Sequence, residues 1–117
     1  MATSVLIVDD HPSFRASARM LLECEGYDVV GEAADGESAL TEAARLSPDV
    51  VLLDVGLPGL DGFEVTNRLA ANGGGPAVVL TSSRECCDYG SMADCSGARG
   101  FITKGELSGD TLGALLA

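Results

Sequence analysis

The sequence predicts an α/β fold, a doubly wound five-stranded parallel sheet with helices on both faces. Two observations carry that prediction. Five short β-branched runs, at 5–8, 28–30, 50–53, 77–80 and 101–103, are almost continuously apolar, as strands covered on both faces must be. Between them lie longer stretches with apolar residues at helical spacing, and such alternation closes through right-handed crossovers.

The elements follow in order. Val5-Leu-Ile-Val forms the first strand and runs into Asp9-Asp10. Pro12 suits a first helical turn; Phe14, Ala18, Leu21 and Leu22 then share a helix face, and Gly26 ends that helix. Ala39, Leu40, Ala43 and Ala44 mark a second helix that begins near Asp35-Gly36 and stops before Pro48. Phe63, Val65, Leu69 and Ala70 mark a third, closed by Gly73-Gly74-Gly75-Pro76. The stretch 84–96 is expected to be a short, irregular or mobile fourth helix, because Gly90 interrupts it and Asp88, Ser91 and Asp94 are poor helix formers. A fifth helix starts at about Leu107 and carries Leu112, Leu115 and Leu116.

A chain of 117 residues is expected to make one domain, 1–117. Its 18 acidic and 7 basic residues give a net charge of −11. That balance argues against direct nucleic-acid contact and against an anionic membrane surface. The N-terminus has no secretory pattern and no run is long enough for a membrane span, so a cytoplasmic location is expected. Cys24, Cys86, Cys87 and Cys95 are then expected to be free thiols, and they match no standard zinc spacing.

In a doubly wound sheet, function sits outside the carboxyl ends of the strands. Asp9 and Asp10 follow the first strand and Asp54 the third; Thr81 to Ser83 end the fourth, and Thr103-Lys104 the fifth. Three carboxylates on one rim repel one another, so something must compensate. A hard divalent cation does this naturally, Mg2+ or Mn2+ in its place. Lys104 supplies further positive charge and is the chain's only lysine. A carboxylate can attack phosphorus to form an aspartyl phosphate, a transfer that chiefly needs charge neutralisation. Asp54 is the nucleophile this pattern selects, with Asp9 and Asp10 to hold the metal. His11 comes after them and precedes Pro12; it is expected to shape the entry to the first helix.

Taken together, Val8-Asp9-Asp10, Leu53-Asp54, Leu57-Pro58, Asp61-Gly62, Thr81, Phe101 and Lys104 resemble the receiver domain of two-component response regulators, over essentially the whole chain. The resemblance implies a flavodoxin-like sheet of order 2-1-3-4-5. It implies that Asp54 accepts a phosphoryl group from a sensor histidine kinase. Asp9, Asp10 and Asp54 would hold Mg2+ with the Gly56 backbone carbonyl. Thr81 and Lys104 would contact the phosphoryl oxygens. Thr81 and Phe101 would be the switch residues, and Gly56 and Ser83 would tune dephosphorylation. Output would pass through the fourth helix, fifth strand and fifth helix, a face that could also support a homodimer. Such a domain is no enzyme beyond self-phosphorylation from a donor and slow autodephosphorylation.

Asp9-Asp10-His11-Pro12 and Gly97-Ala98-Arg99-Gly100-Phe101 resemble receivers of the LuxR-type, helix-turn-helix subfamily. That implies transcription regulation through an output domain absent from this chain. The alternative is a stand-alone receiver or a phosphorylation-independent adaptor acting by protein contact. Gly105 stands where many receivers carry a proline. Gly56 offers no side chain to shield the nucleophile from water, which implies a short-lived phosphoryl state. A phosphatase of the haloacid-dehalogenase type would want an aspartate at position 56, and a flavodoxin-type binder would want a phosphate-cradling loop in place of the anionic Asp9-Asp10.

Overall fold

The computed structural model describes residues 3–54, 62–70, 76–82, 100–103, 105 and 107–116. Its elements are β1 (Ser4–Val8), α1 (Pro12–Cys24), β2 (Asp28–Ala33), α2 (Gly36–Leu46), β3 (Val50–Asp54), α3 (Gly62–Ala70), β4 (Ala77–Ser82), β5 (Gly100–Thr103) and α4 (Gly109–Leu116). The five strands form one sheet of order β2-β1-β3-β4-β5, and every pairing is parallel. The fourth helix expected from the sequence lies outside the described residues, so α4 corresponds to the expected fifth. Cys86, Cys87 and Cys95 lie outside them too, whereas Cys24 is a free, exposed thiol.

Alternate strand residues point to opposite faces, and the two faces build separate cores. Leu6, Val8, Val51, Leu53, Val78 and Leu80 pack with Ala39 and Ala43 of α2 and Val65 and Leu69 of α3. Val5, Ile7, Val50, Leu52, Val79 and Ile102 pack with Ala18 and Leu22 of α1 and with Leu107 and Leu112 at α4. Helices thus cover both faces, which is why the strand sequences are apolar without alternation. β3 sits between β1 and β4, and all five of its residues are buried.

All five strands run one to three residues beyond the expected runs, and two of these extensions bear on the site. β2 continues past Val30 to Ala33, because Gly31, Glu32 and Ala33 pair with Leu6, Ile7 and Val8 after a register shift between Val5 and Leu6. At Gly31 a Cβ would meet Leu46 Cδ1 at 2.7 Å, so a larger residue there would displace the tip of that leucine. β4 extends through Thr81, opposite Asp54, to Ser82, opposite Thr103. In both places backbone pairing outlasts the apolar run.

The helix ends reflect local chemistry. The Asp35 side chain accepts the Ser38 N–H at 2.8 Å and caps α2. Ser47 closes α2 in the left-handed region, at φ 48°, just before Pro48. At α4 the Ser108 N–H donates to Thr111 Oγ1 at 2.9 Å and the Thr111 N–H returns to Ser108 Oγ at 3.1 Å. This reciprocal cap starts α4 at Gly109, two residues after the predicted start. Gly26 takes φ +94° beyond the end of α1, a turn that its missing Cβ allows.

Packing and capping each give a measurable outcome. Truncating Leu52, which is 1% exposed in the central strand, is expected to cost about 2–5 kcal/mol in urea unfolding of Leu52→Ala. The Ser38 N–H holds the Asp35 pKa below the usual aspartate value. A depressed folded pKa contributes stability that is present above the unfolded-state pKa and is lost as pH falls through the folded one. Wild type should therefore exceed Asp35→Asn in melting temperature near neutral pH, and the gap should close on acidification.

Candidate functional site

The site lies at the carboxyl end of the sheet. Asp9 follows β1 and is fully buried, because its N–H continues the ladder to the Ala33 carbonyl at 3.0 Å. Asp54 is the last residue of β3 and is 5% exposed. Asp10, one residue further on than Asp9, reaches solvent. The ligand atoms of Asp9, Asp10, His11 and Asp54 all lie within 4.8 Å of one another.

The turn from β1 into α1 is held from two sides. The His11 N–H donates to Asp9 Oδ1 at 2.8 Å, and its ring Nδ1 lies 2.9 Å from Asp9 Oδ1 and 3.0 Å from Asp10 Oδ1. His11 is also the N-cap residue of α1, with no capping bond from its side chain. The expected role at the helix entry therefore holds for its backbone, while the imidazole belongs to the carboxylate cluster. From the other side Arg15 Nη1 donates to the Asp9 carbonyl at 2.6 Å. Arg15 is held in turn by Glu32 Oε1 at 3.1 Å, and Glu32 Oε2 takes Arg19 at 2.7 Å.

Sequence reasoning missed Arg15, Arg19 and Glu32. The two arginines are four apart and so share a face of α1, which was a usable signal. Glu32 was hidden because the apolar run of the second strand stops at Val30, which left this acid outside the expected sheet.

Thr81 lies directly across from Asp54 on the neighbouring strand. Residues paired this way in a parallel sheet point to the same face. Its hydroxyl is buried and has no hydrogen-bond partner among the described residues. Of the other predicted site residues, Lys104, Gly56 and Ser83 lie outside the described residues, as do Leu57-Pro58 and Asp61. Phe101 is in β5 opposite Leu80, and its side chain lies outside them as well.

The donor set is largely hard and anionic: three carboxylates and one imidazole with ligand atoms within 4.8 Å of one another. This suits a small divalent cation in oxygen-rich coordination. Across the β3–β4 pair lies a buried hydroxyl with no partner among the described residues, able to donate to an acceptor. Together these groups can neutralise and bond a multiply charged oxyanion attached at Asp54.

Residues 5–115 match the response regulator receiver domain. The chain belongs to that family. It is 42% identical over 102 residues to the response regulator GacA of Pseudomonas aeruginosa, covering 86% of this chain and 48% of that protein. It is 42% identical over 102 residues to the nitrate/nitrite response regulator protein NarP of Escherichia coli, covering 86% and 47%. The chain spans about half the length of these relatives. Among solved structures, a LuxR-family two-component response regulator from Aurantimonas sp. SI85-9A1 superposes with a TM-score of 0.88 at 30% identity, covering 99% of this chain and 86% of that one. Receiver domains are in general switches rather than enzymes; they bind Mg2+ at an acidic pocket and are phosphorylated by histidine kinases. No helix among the described residues is long and apolar enough to cross a membrane.

The unsatisfied hydroxyl gives a direct test. Removing a buried polar group that lacks a partner relieves a desolvation cost of about 1–3 kcal/mol. Thr81→Val is thus expected to unfold at equal or higher urea concentration than wild type, although it removes a site residue. A clear loss of stability would mean that the hydroxyl is satisfied in the resting protein.

Proposed function

We propose that this chain is a phosphorylation-controlled switch in which Asp54 is the phosphoacceptor and a sensor histidine kinase is the donor. The observation that carries the proposal is the buried Asp54 carboxylate within 4.8 Å of the Asp9, Asp10 and His11 donors, beside the unsatisfied Thr81 hydroxyl. A carboxylate oxygen of Asp54 attacks the phosphorus of phosphohistidine. The new P–O bond forms as the P–N bond breaks, and the departing imidazole takes up a proton. Asp9, Asp10 and Asp54, with the Gly56 carbonyl, would hold Mg2+ or Mn2+, which when bound offsets the charge of the phosphoryl oxygens. Asp10 is exposed and offers the entry side; Asp9 is fixed from behind by Arg15.

Thr81 donates its hydroxyl to a phosphoryl oxygen, and Lys104 pairs with another. The Thr81 movement, with Phe101, biases the output face, of which β5 and α4 are the described part, toward a second state. Gly56 and Ser83 set how readily water reaches the acyl phosphate. The activity is self-phosphorylation and slow autodephosphorylation, without turnover of an external substrate. Residues 1–117 act as one receiver domain in the cytoplasm, with no nucleic-acid or membrane contact of its own. It regulates transcription through an output domain and pairs with a second copy through the output face. Similar proteins of about twice the matched length that are named as transcription regulators support the transcription reading.

Intact-protein mass spectrometry after acetyl phosphate and Mg2+ tests the proposal. Wild type should gain one phosphoryl group. Asp54→Ala, or wild type with a chelator, should gain none. Thr81→Val should gain the group but show no conformational change by NMR at β5 and α4. An unmodified wild type that also fails to bind beryllofluoride would overturn the switch in favour of a phosphorylation-independent adaptor.

A further inference from the structure

The cation site of the proposed switch contains a donor of a different chemical kind, His11, whose role depends on that site binding a metal. His11 is the one histidine of the chain. Its Nδ1 stands 2.9 Å from Asp9 Oδ1 and 3.0 Å from Asp10 Oδ1. In an octahedral shell with bonds of about 2.1 Å, adjacent donors are √2 times that apart, about 3.0 Å. The nitrogen is therefore already at the spacing of a neighbouring donor from both carboxylates. Opposite donors in such a shell are about 4.2 Å apart, and all four ligand atoms here fall within 4.8 Å. Little contraction is needed to close the shell.

The backbone holds the imidazole in this place. His11 is extended, at φ −101° and ψ 108°, as a residue before proline prefers, and its N–H is bound to Asp9 Oδ1. Next to Asp54 in the sheet, the fully buried Thr81 hydroxyl has no partner among the described residues, a second polar group of this rim left for a ligand.

We propose that His11 Nδ1 is a direct ligand of the divalent cation and biases the site toward later first-row metals. Mg2+ prefers oxygen and gains little from an imidazole, whereas affinity for nitrogen donors rises from Mn2+ through Co2+ to Ni2+. As a ligand the ring would turn its Nδ1 lone pair to the cation, with its hydrogen on Nε2, in place of the Nδ1 contact to the carboxylates. The His11 side chain is 63% exposed, so replacing it does not open the core.

Pulsed EPR of the full chain with bound Mn2+ reads the ligand directly. A directly coordinated 14N coupling is expected in wild type, replaced by a 15N coupling when histidine alone is labelled, and absent in His11→Ala. Competition titrations supply a second readout. Even a partner that only orients a metal ligand is worth about 10- to 100-fold in affinity. His11→Ala should therefore lose about tenfold or more for Co2+ and change much less for Mg2+. Bound Mn2+ that depends on Asp10 but shows no nitrogen coupling would overturn the His11 assignment alone. The same proportional loss for Co2+ and Mg2+ would overturn it too. A wild type that binds no Mn2+ and takes up no phosphoryl group would overturn the site itself.

Discussion

Mutual repulsion among Asp9, Asp10 and Asp54 is the constraint around which the carboxyl end of this protein is built. Two of the three are buried, at the ends of β1 and β3, where low polarisability makes like charges expensive to hold together. A chain of net charge −11 has no surplus of cations to spread over them. The arrangement is tolerable because local donors and cations are aimed at it. The His11 N–H and ring engage the Asp9 carboxylate, and Arg15 takes the Asp9 carbonyl. The result is an anionic cup matched to a small cation.

The rigidity of that cup comes from the sheet. β1 and β3 are adjacent and in register from Val5–Val50 to Val8–Leu53, so their ends cannot drift apart without breaking the ladder between two apolar cores. Register slips in a sheet covered on both faces would swap every side chain between cores. Glu32 then ties the first helix to β2 through Arg15 and Arg19. Ion pairs of this partly exposed kind add little stability by themselves. Their contribution here is orientation, since Arg15 links the helix to the backbone of a site aspartate.

Thr81 is the counterpart of this rigidity. A buried hydroxyl with no partner among the described residues is a small store of unfavourable free energy at one edge of the site. An oxyanion on Asp54 would supply the missing acceptor, and the gain would be available only in the modified state. That differential interaction is what a two-state switch requires of its input. The same residue stands beside β5 in the sheet, opposite Ile102, so a shift at Thr81 bears directly on the strand of the expected output face.

The sequence by itself determined the α/β class, the five strands and the convergence of Asp9, Asp10, Asp54 and Thr81 on one rim. The reason is that uninterrupted β-branched runs have one stable use, the middle of a covered parallel sheet, and the residues after each run are delivered to the same edge. Their order in the sheet was legible only through family resemblance, because local patterning does not encode which strands pair. The extension of β2 to Ala33 and the pairing of Thr81 with Asp54 were decided by tertiary structure, since backbone hydrogen bonds continue past the point where apolar patterning stops. So were the Arg15–Glu32–Arg19 linkage and the seat of the His11 ring between two carboxylates. Those contacts join residues far apart in the chain or depend on the exact turn of a backbone, and neither is written in spacing or composition.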